Sequence, residues 1–97
     1  MTTTALASNE NIQTIHLSEL GPDLSGRTRG ETIRGLVEPG VTEVVFDCTG
    51  VESMSPSFAD EVFGKLAAQP QRPHIKIINA SQDILALARF AVSERLS

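Results

Sequence analysis

The feature that most constrains this chain is the junction between residues 43–48 and the segment that begins at Ser55. Residues 43–48 (EVVFDC) are apolar almost throughout, which is typical of a central strand covered on both faces. Ser55 can cap a helix, and Pro56 favours the first helical position. The apolar residues that follow recur at helical spacing: Phe58, Ala59, Val62, Phe63, Leu66 and Ala67. The sequence therefore predicts a buried strand that leads directly into a capped helix ending near residue 69.

Similar patterns predict a strand and a helix on each side of this junction. Residues 12–17 and 74–79 mix β-branched and polar residues as strands do, while 27–38 has helical spacing and Ser81 can cap a third helix. Strands that alternate with helices form a parallel sheet. We therefore expect an α/β fold with a mainly parallel sheet of three or four strands and about three helices packed largely on one face. The other face would then need a partner, a tail or, in a homodimer, a second copy of the chain.

Length and composition narrow the possible classes of protein. A chain of 97 residues builds one core, so we expect one domain at 12–97 behind a mobile N-terminal arm at 1–11. The net charge of -4 argues against nucleic-acid binding. The single Cys48 and the absence of a signal-like start indicate a reducing, cytoplasmic setting, and no apolar run is long enough to cross a membrane.

Residues 44–55 (VVFDCTGVESMS) followed by 56–66 (PSFADEVFGKL) resemble the core signature of the STAS-like family, bacterial relatives of anti-sigma-factor antagonists. Residues 21–34 and 75–80 extend the resemblance. It implies a non-catalytic module that binds a regulatory protein, such as an anti-sigma factor or a histidine-kinase-like ATPase. In the well-characterised antagonists that partner phosphorylates a Ser at the start of the second helix. Here Pro56 matches the phosphorylated Ser, Ser55 matches the Asp before it, and Ser57 matches the Ser after it.

These residues leave two interpretations open for the start of the second helix. A phosphate on Ser57 or Ser55 would be stabilised by the unpaired N–H groups there, although Asp60 and Glu61 would repel it. A plain N-cap is the simpler role for Ser55. We also expect Glu61 and Lys65 to form a surface ion pair. The resemblance makes five residues candidates for partner binding: Asp47, Ser55, Ser57, Asp60 and Glu61.

The residues around Asp47 do not predict a catalytic site. Asp47 at the end of a strand superficially suits aspartyl-phosphate chemistry, but that chemistry also needs metal-binding carboxylates and a steering Lys. We expect Asp47 to accept N–H groups of its own turn, and Cys48 to be a small buried residue. His16 and His74 lack the spacing of metal ligands. The sequence therefore predicts no catalytic residue, metal or cofactor.

A second function from another class is a small-ligand or nucleotide sensor that uses Arg27 and Arg29 beside a glycine-containing loop. The simpler interpretation is a solvated helix face, because Glu31 lies four residues after Arg27 and Glu38 four residues after Arg34. Helical spacing also assigns three aromatic residues to the core: Phe58, Phe63 and Phe90.

Overall fold

The structure is a computed structural model that describes residues 11–96. The predicted N-terminal arm therefore lies outside the described residues, apart from Asn11. Asn11 is tied to the start of the central strand, since its carbonyl oxygen accepts the N–H of Thr42 at 2.8 Å. The N–H of Asn11 in turn donates to Thr42 Oγ1 at 3.2 Å.

The described residues form alternating strands and helices. In chain order they are β1 (Ile12–His16), a 3₁₀ helix (Leu17–Leu20), β2 (Asp23–Leu24), α1 (Arg27–Gly35), β3 (Glu43–Asp47), β4 (Ser53–Met54), α2 (56–67), β5 (His74–Ile78) and α3 (Gln82–Leu96). Helix α2 begins as an α-helix at Pro56–Ala59, widens to a π-helical turn at Asp60–Gly64, and ends as an α-helix at Lys65–Ala67. The predicted elements are confirmed within a few residues at each end.

The main sheet has the order β1-β3-β5, and both of its strand pairs are parallel. Its register aligns Phe46 with Ile15 on one side and with Ile77 on the other. The short strands β2 and β4 form a separate parallel ladder, in which Ser53 Oγ donates to Asp23 Oδ1 at 2.7 Å. The predicted α/β fold with a mainly parallel sheet is confirmed.

Burial along β3 shows which face of the sheet the helices cover. Val44 and Phe46 are buried, whereas Val45 and Asp47 are partly exposed. Side chains alternate along a strand, so within residues 11–96 only one face is covered. The expectation of a strand covered on both faces was wrong for this part of the chain. The three strands of the main sheet lie side by side in the order in which they occur along the chain, which leaves the connecting helices on one side.

The core forms where α2 lies against β3. The rings of Phe46 and Phe63 meet edge to face, with centroids 5.1 Å apart and planes at 87°. Such a pair stabilises the fold by about 1 kcal/mol beyond the area it buries. All six residues of the apolar stripe predicted for α2 are buried, which confirms that stripe: Phe58, Ala59, Val62, Phe63, Leu66 and Ala67.

Helix α1 is shorter than predicted, because it ends at Gly35. The N–H of Leu36 then donates to the carbonyl of Ile33 at 3.0 Å, and that of Val37 donates to Arg34 at 3.2 Å, so the chain tightens before Pro39. Among the residues described, no helix combines the length and the apolar character that crossing a bilayer requires.

Candidate functional site

Ser55 joins the first turns of α1 and α2. Its Oγ accepts the N–H of Phe58 at 3.1 Å, which is the predicted N-cap, and Pro56 occupies the first turn as expected. The same oxygen also accepts the N–H of Gly26 at 3.2 Å, just before α1 begins. The hydroxyl of Ser55 is therefore occupied by two backbone donors.

A shallow groove of about 320 Å³ lies between the start of α2 and the side of α3. Pro56 and Ser57 line it on one side, and Phe90 and Leu87 on the other. Phe90 is 61% exposed, so its assignment to the core was wrong. The side of α3 that packs on the core carries Ile84, which is buried, while Phe90 lies on another side of the helix and points to solvent. We call this groove and its rim the α2–α3 surface.

Asp60 connects α2 to both neighbouring helices. Arg95 of α3 binds it with two nitrogens, Nε to Oδ1 at 2.7 Å and Nη2 to Oδ2 at 2.8 Å. Arg27 of α1 donates Nη1 to Oδ2 at 2.8 Å. Hydrogen bonds from Arg95 and then Arg27 hold the pKa of the Asp60 carboxyl well below its usual range. Asp60 is therefore ionised throughout the physiological pH range.

Glu61 is buried beneath three cations, with only 2% of the residue exposed. Lys65 Nζ lies 2.9 Å from Oε2, Arg34 Nη2 lies 3.0 Å from the same oxygen, and Arg27 Nη1 lies 3.3 Å from Oε1. Hydrogen bonds from Lys65, then Arg34 and Arg27, lower the pKa of Glu61 to about 2 although burial opposes the charge. The predicted pairing with Lys65 is confirmed, but its placement on the surface was wrong.

Two glycines allow the helices to approach these carboxylates. A Cβ on Gly30 of α1 would lie 2.8 Å from Glu61 Cβ and 3.2 Å from the carbonyl oxygen of Phe58. A Cβ on Gly64 of α2 would lie 2.7 Å from Asp60 Oδ1 and 2.9 Å from Arg95 Cγ. The Gly30 contact is closer than a methyl group tolerates, so α1 and α2 meet here because position 30 carries no side chain. At Gly64, the Asp60 and Arg95 side chains would have to shift to admit a methyl group.

Two acids and four cations thus bind the three helices together, and we call them the acidic cluster: Asp60, Glu61, Arg27, Arg34, Lys65 and Arg95. The local pairing expected from sequence was wrong, since Glu31 and Glu38 take part in no ion pair among residues 11–96. Sequence analysis also missed Arg95, because its partner lies 35 positions earlier and no local pattern connects them.

Asp47 lies apart from the acidic cluster, at the carboxyl end of β3. Its Oδ1 accepts the N–H of Thr49 at 3.0 Å and the Thr49 hydroxyl at 2.7 Å, which confirms the predicted turn. Asn79 Nδ2 donates to the same oxygen at 3.1 Å, and His16 Nδ1 lies 3.3 Å from Oδ2. The Thr49 hydroxyl, the Thr49 N–H and the Asn79 amide lower the pKa of Asp47. Asp47 therefore joins the ends of β1, β3 and β5.

The two arginines considered for ligand binding are both engaged within the protein. Arg27 belongs to the acidic cluster, and Arg29 donates to the carbonyl oxygens of Leu20 at 3.1 Å and Asp23 at 3.2 Å. Arg29 thereby fixes the loop before α1. A phosphate ligand would have to compete with these contacts.

Cys48 is buried directly after β3, as the sequence predicted. Burial, and to a lesser extent the Asp47 charge, raises the pKa of its thiol to about 11, so the nucleophilic thiolate is scarce at neutral pH. Among residues 11–96, no three His, Cys, Asp or Glu side chains are grouped in a way that could hold a metal ion.

The structure therefore separates the five residues considered for partner binding. Ser57 and Asp60 line the α2–α3 surface, while Ser55 and Glu61 are occupied by internal hydrogen bonds. Asp47 belongs to the end of the sheet. Phe90 completes the surface, and sequence analysis missed it by counting Phe90 as a core residue, although it lies off the side of α3 on which Ile84 and Ala88 are buried.

A small α/β domain with a parallel sheet, helices on one face and a capped helix after the central strand is a STAS-like fold. Residues 29–85 match the family described as STAS-like domain of unknown function (DUF4325). The match covers more than half of the chain, so the protein belongs to this family. Comparisons with curated proteins and with solved structures found no match.

Proposed function

We propose that this protein is a non-catalytic interaction module, and that its α2–α3 surface binds a regulatory partner in the bacterial cytoplasm. The exposed Phe90 carries the proposal. An exposed aromatic ring beside a proline and a small groove is the kind of anchor on which protein interfaces depend. Burying the ring against a partner removes its apolar surface from water, which favours binding. The resemblance to anti-sigma-factor antagonists favours an anti-sigma factor or a histidine-kinase-like ATPase as that partner.

Ser57 is the better candidate of the two serines for control by phosphorylation. Ser55 Oγ already accepts two backbone N–H groups, whereas Ser57 lines the groove together with Arg27. The repulsion expected from Asp60 and Glu61 is offset, because four cations surround these two carboxylates. A phosphate on Ser57 would meet the first turn of α2 and the partly exposed Arg27 guanidinium, and would add negative charge beside Phe90.

The test is co-purification of the tagged protein with anti-sigma factors and histidine-kinase-like ATPases of the source cell. We expect Phe90→Ala to reduce the captured amount about tenfold or more, since truncating a central aromatic anchor is costly. Ser57→Asp is expected to reduce it as well. The melting temperature should stay unchanged, because neither side chain belongs to the core.

Leu36→Ala is the matched control for loss of an exposed apolar side chain. Leu36 is 51% exposed and lies beyond the end of α1, away from the α2–α3 surface. Capture should be unaffected by this substitution. Equal capture by Phe90→Ala, Leu36→Ala and the unchanged protein would refute the proposal.

A further inference from the structure

A second groove, of about 610 Å³, runs between β5 and α3. It shares none of its lining residues with the α2–α3 surface, because α3 contributes a different side to each. Its apolar wall consists of Ile75 and Ile77 from β5 and Leu85, Val92 and Leu96 from α3. Leu96 is 52% exposed. We call this feature the β5–α3 groove.

The groove follows the outer edge of β5. Side chains alternate between the two faces of a strand, yet every residue from 73 to 77 lines the groove, so it must run along the edge where the backbone of each residue is reachable. In the order β1-β3-β5, strand β5 has a neighbour on one side only among residues 11–96. This edge therefore offers backbone groups for pairing with another strand.

The hydrogen bonds to β3 identify which backbone groups point outward. The N–H of His74 donates to the carbonyl of Thr42 at 2.9 Å, and the carbonyl of Ile78 accepts the N–H of Cys48 at 2.9 Å. Backbone groups alternate in a parallel ladder, so the N–H and C=O of Ile75 and Ile77 face the groove. A strand that paired with them would place every second side chain against the apolar wall.

The charges around the groove are of one sign. Arg72, Lys76 and Arg89 line it, and no Asp or Glu does among the described residues. Within residues 11–96, Lys76 and Arg89 make no ion pair, and Arg72 donates only to the carbonyl of Ala67 at 3.2 Å. In a chain with a net charge of -4, these cations are gathered at one site. A second copy paired edge to edge would oppose like charges.

We infer that the β5–α3 groove binds an extended acidic segment of a partner protein by β-strand addition. Main-chain hydrogen bonds to Ile75 and Ile77 hold the segment, and its apolar side chains fill the wall. Its carboxylates contact Lys76 on the sheet face that the helices leave uncovered, and Arg72 and Arg89 at the rim of the β5–α3 groove. This binding is independent of the α2–α3 surface, so either proposal stands if the other fails.

The probe is a fluorescein-labelled heptapeptide, Glu-Val-Glu-Val-Glu-Val-Glu, titrated with the full chain and followed by fluorescence polarisation. We expect saturable binding that is about tenfold tighter than for the peptide with Lys in place of Glu. Arg89→Gln and Lys76→Gln should each weaken it up to about fivefold. Gln82→Glu is the matched control: it makes the same change in net charge on α3 outside the groove, and Phe90→Ala controls for the other surface.

N-methylation of the peptide tests strand addition itself. A strand pairs through alternate residues, so methylating the valine nitrogens and methylating the glutamate nitrogens should have different effects, with one set losing about tenfold in affinity. Equal effects of the two sets, or equal binding of the acidic and basic peptides, would overturn the inference. Sedimentation provides a second test. If the protein dimerises and Lys76→Glu strengthens the dimer, the edge of β5 binds a second copy of this chain, and the inference is overturned.

Discussion

The acidic cluster and the β5–α3 groove contain most of the positive charge in the molecule but use it in opposite ways. Four of the eight Lys and Arg residues surround Asp60 and Glu61, where the charges are paired and join three helices. Three others line the groove, where residues 11–96 place no carboxylate. Cations paired with largely buried carboxylates act on folding, whereas unpaired cations at an open sheet edge are available for binding.

The largest effect on stability is expected from Glu61→Gln. The substitution keeps the size of the side chain but removes the charge that Lys65, Arg34 and Arg27 contact. Hydrogen bonds to a charged group are worth about 2 kcal/mol, so we expect the free energy of unfolding to fall by about that amount. Urea denaturation measures the loss. Glu31→Gln on the exposed side of α1 is the control and should change stability by less than about 0.5 kcal/mol.

The pH dependence shows whether this loss is electrostatic. The pKa of Glu61 is lowered to about 2 in the folded protein, from an ordinary value of 4.5. Its ionised form therefore stabilises the fold fully above pH 4.5, and the contribution is lost as the pH falls toward 2. The difference in free energy of unfolding between the unchanged protein and Glu61→Gln should therefore shrink as the pH falls from 4.5 toward 2. If the difference does not change with pH, the stability lost in the variant comes from packing and not from charge.

A smaller effect is expected from placing a methyl group between α1 and α2. Gly30→Ala should lower the free energy of unfolding by about 1 kcal/mol, because its Cβ would lie 2.8 Å from Glu61 Cβ. Gly35→Ala in the same helix meets nothing within 4 Å and should stabilise the protein by up to about 1 kcal/mol. Thermal or urea unfolding measures both variants. A loss of stability in Gly30→Ala with a gain in Gly35→Ala supports the close approach of α1 and α2, and a gain of stability in both variants would contradict it.

The core and the order of elements were predictable because they depend on local patterns. The spacing of Phe58, Val62 and Leu66 identified the buried side of α2, and the Ser55 cap followed from residue type. Phe90 shows the limit of residue type as a guide, since an aromatic residue can lie off the buried side of its helix and face solvent.

The charged contacts were not predictable, because they connect residues far apart in sequence. Arg27 lies next to Glu31 on a helical wheel, but the fold brings it to Asp60, 33 positions away. A single sequence gives no signal for the π-helical turn in α2, or for the cations that converge on the two adjacent acids there. Gly30 is a poor helix former in the interior of α1, and the close approach of Glu61 explains why a glycine stands there.

The smallest effect on stability is expected at the groove. Lys76→Gln and Arg89→Gln should each change the free energy of unfolding by less than about 0.5 kcal/mol, because neither cation has a carboxylate partner among residues 11–96. Arg34→Gln, which removes a cation from the acidic cluster, is the matched control and should cost about 1 to 2 kcal/mol in the same urea titration. Similar losses at all three positions would mean that the groove cations also stabilise the fold, and the contrast between the two regions would disappear.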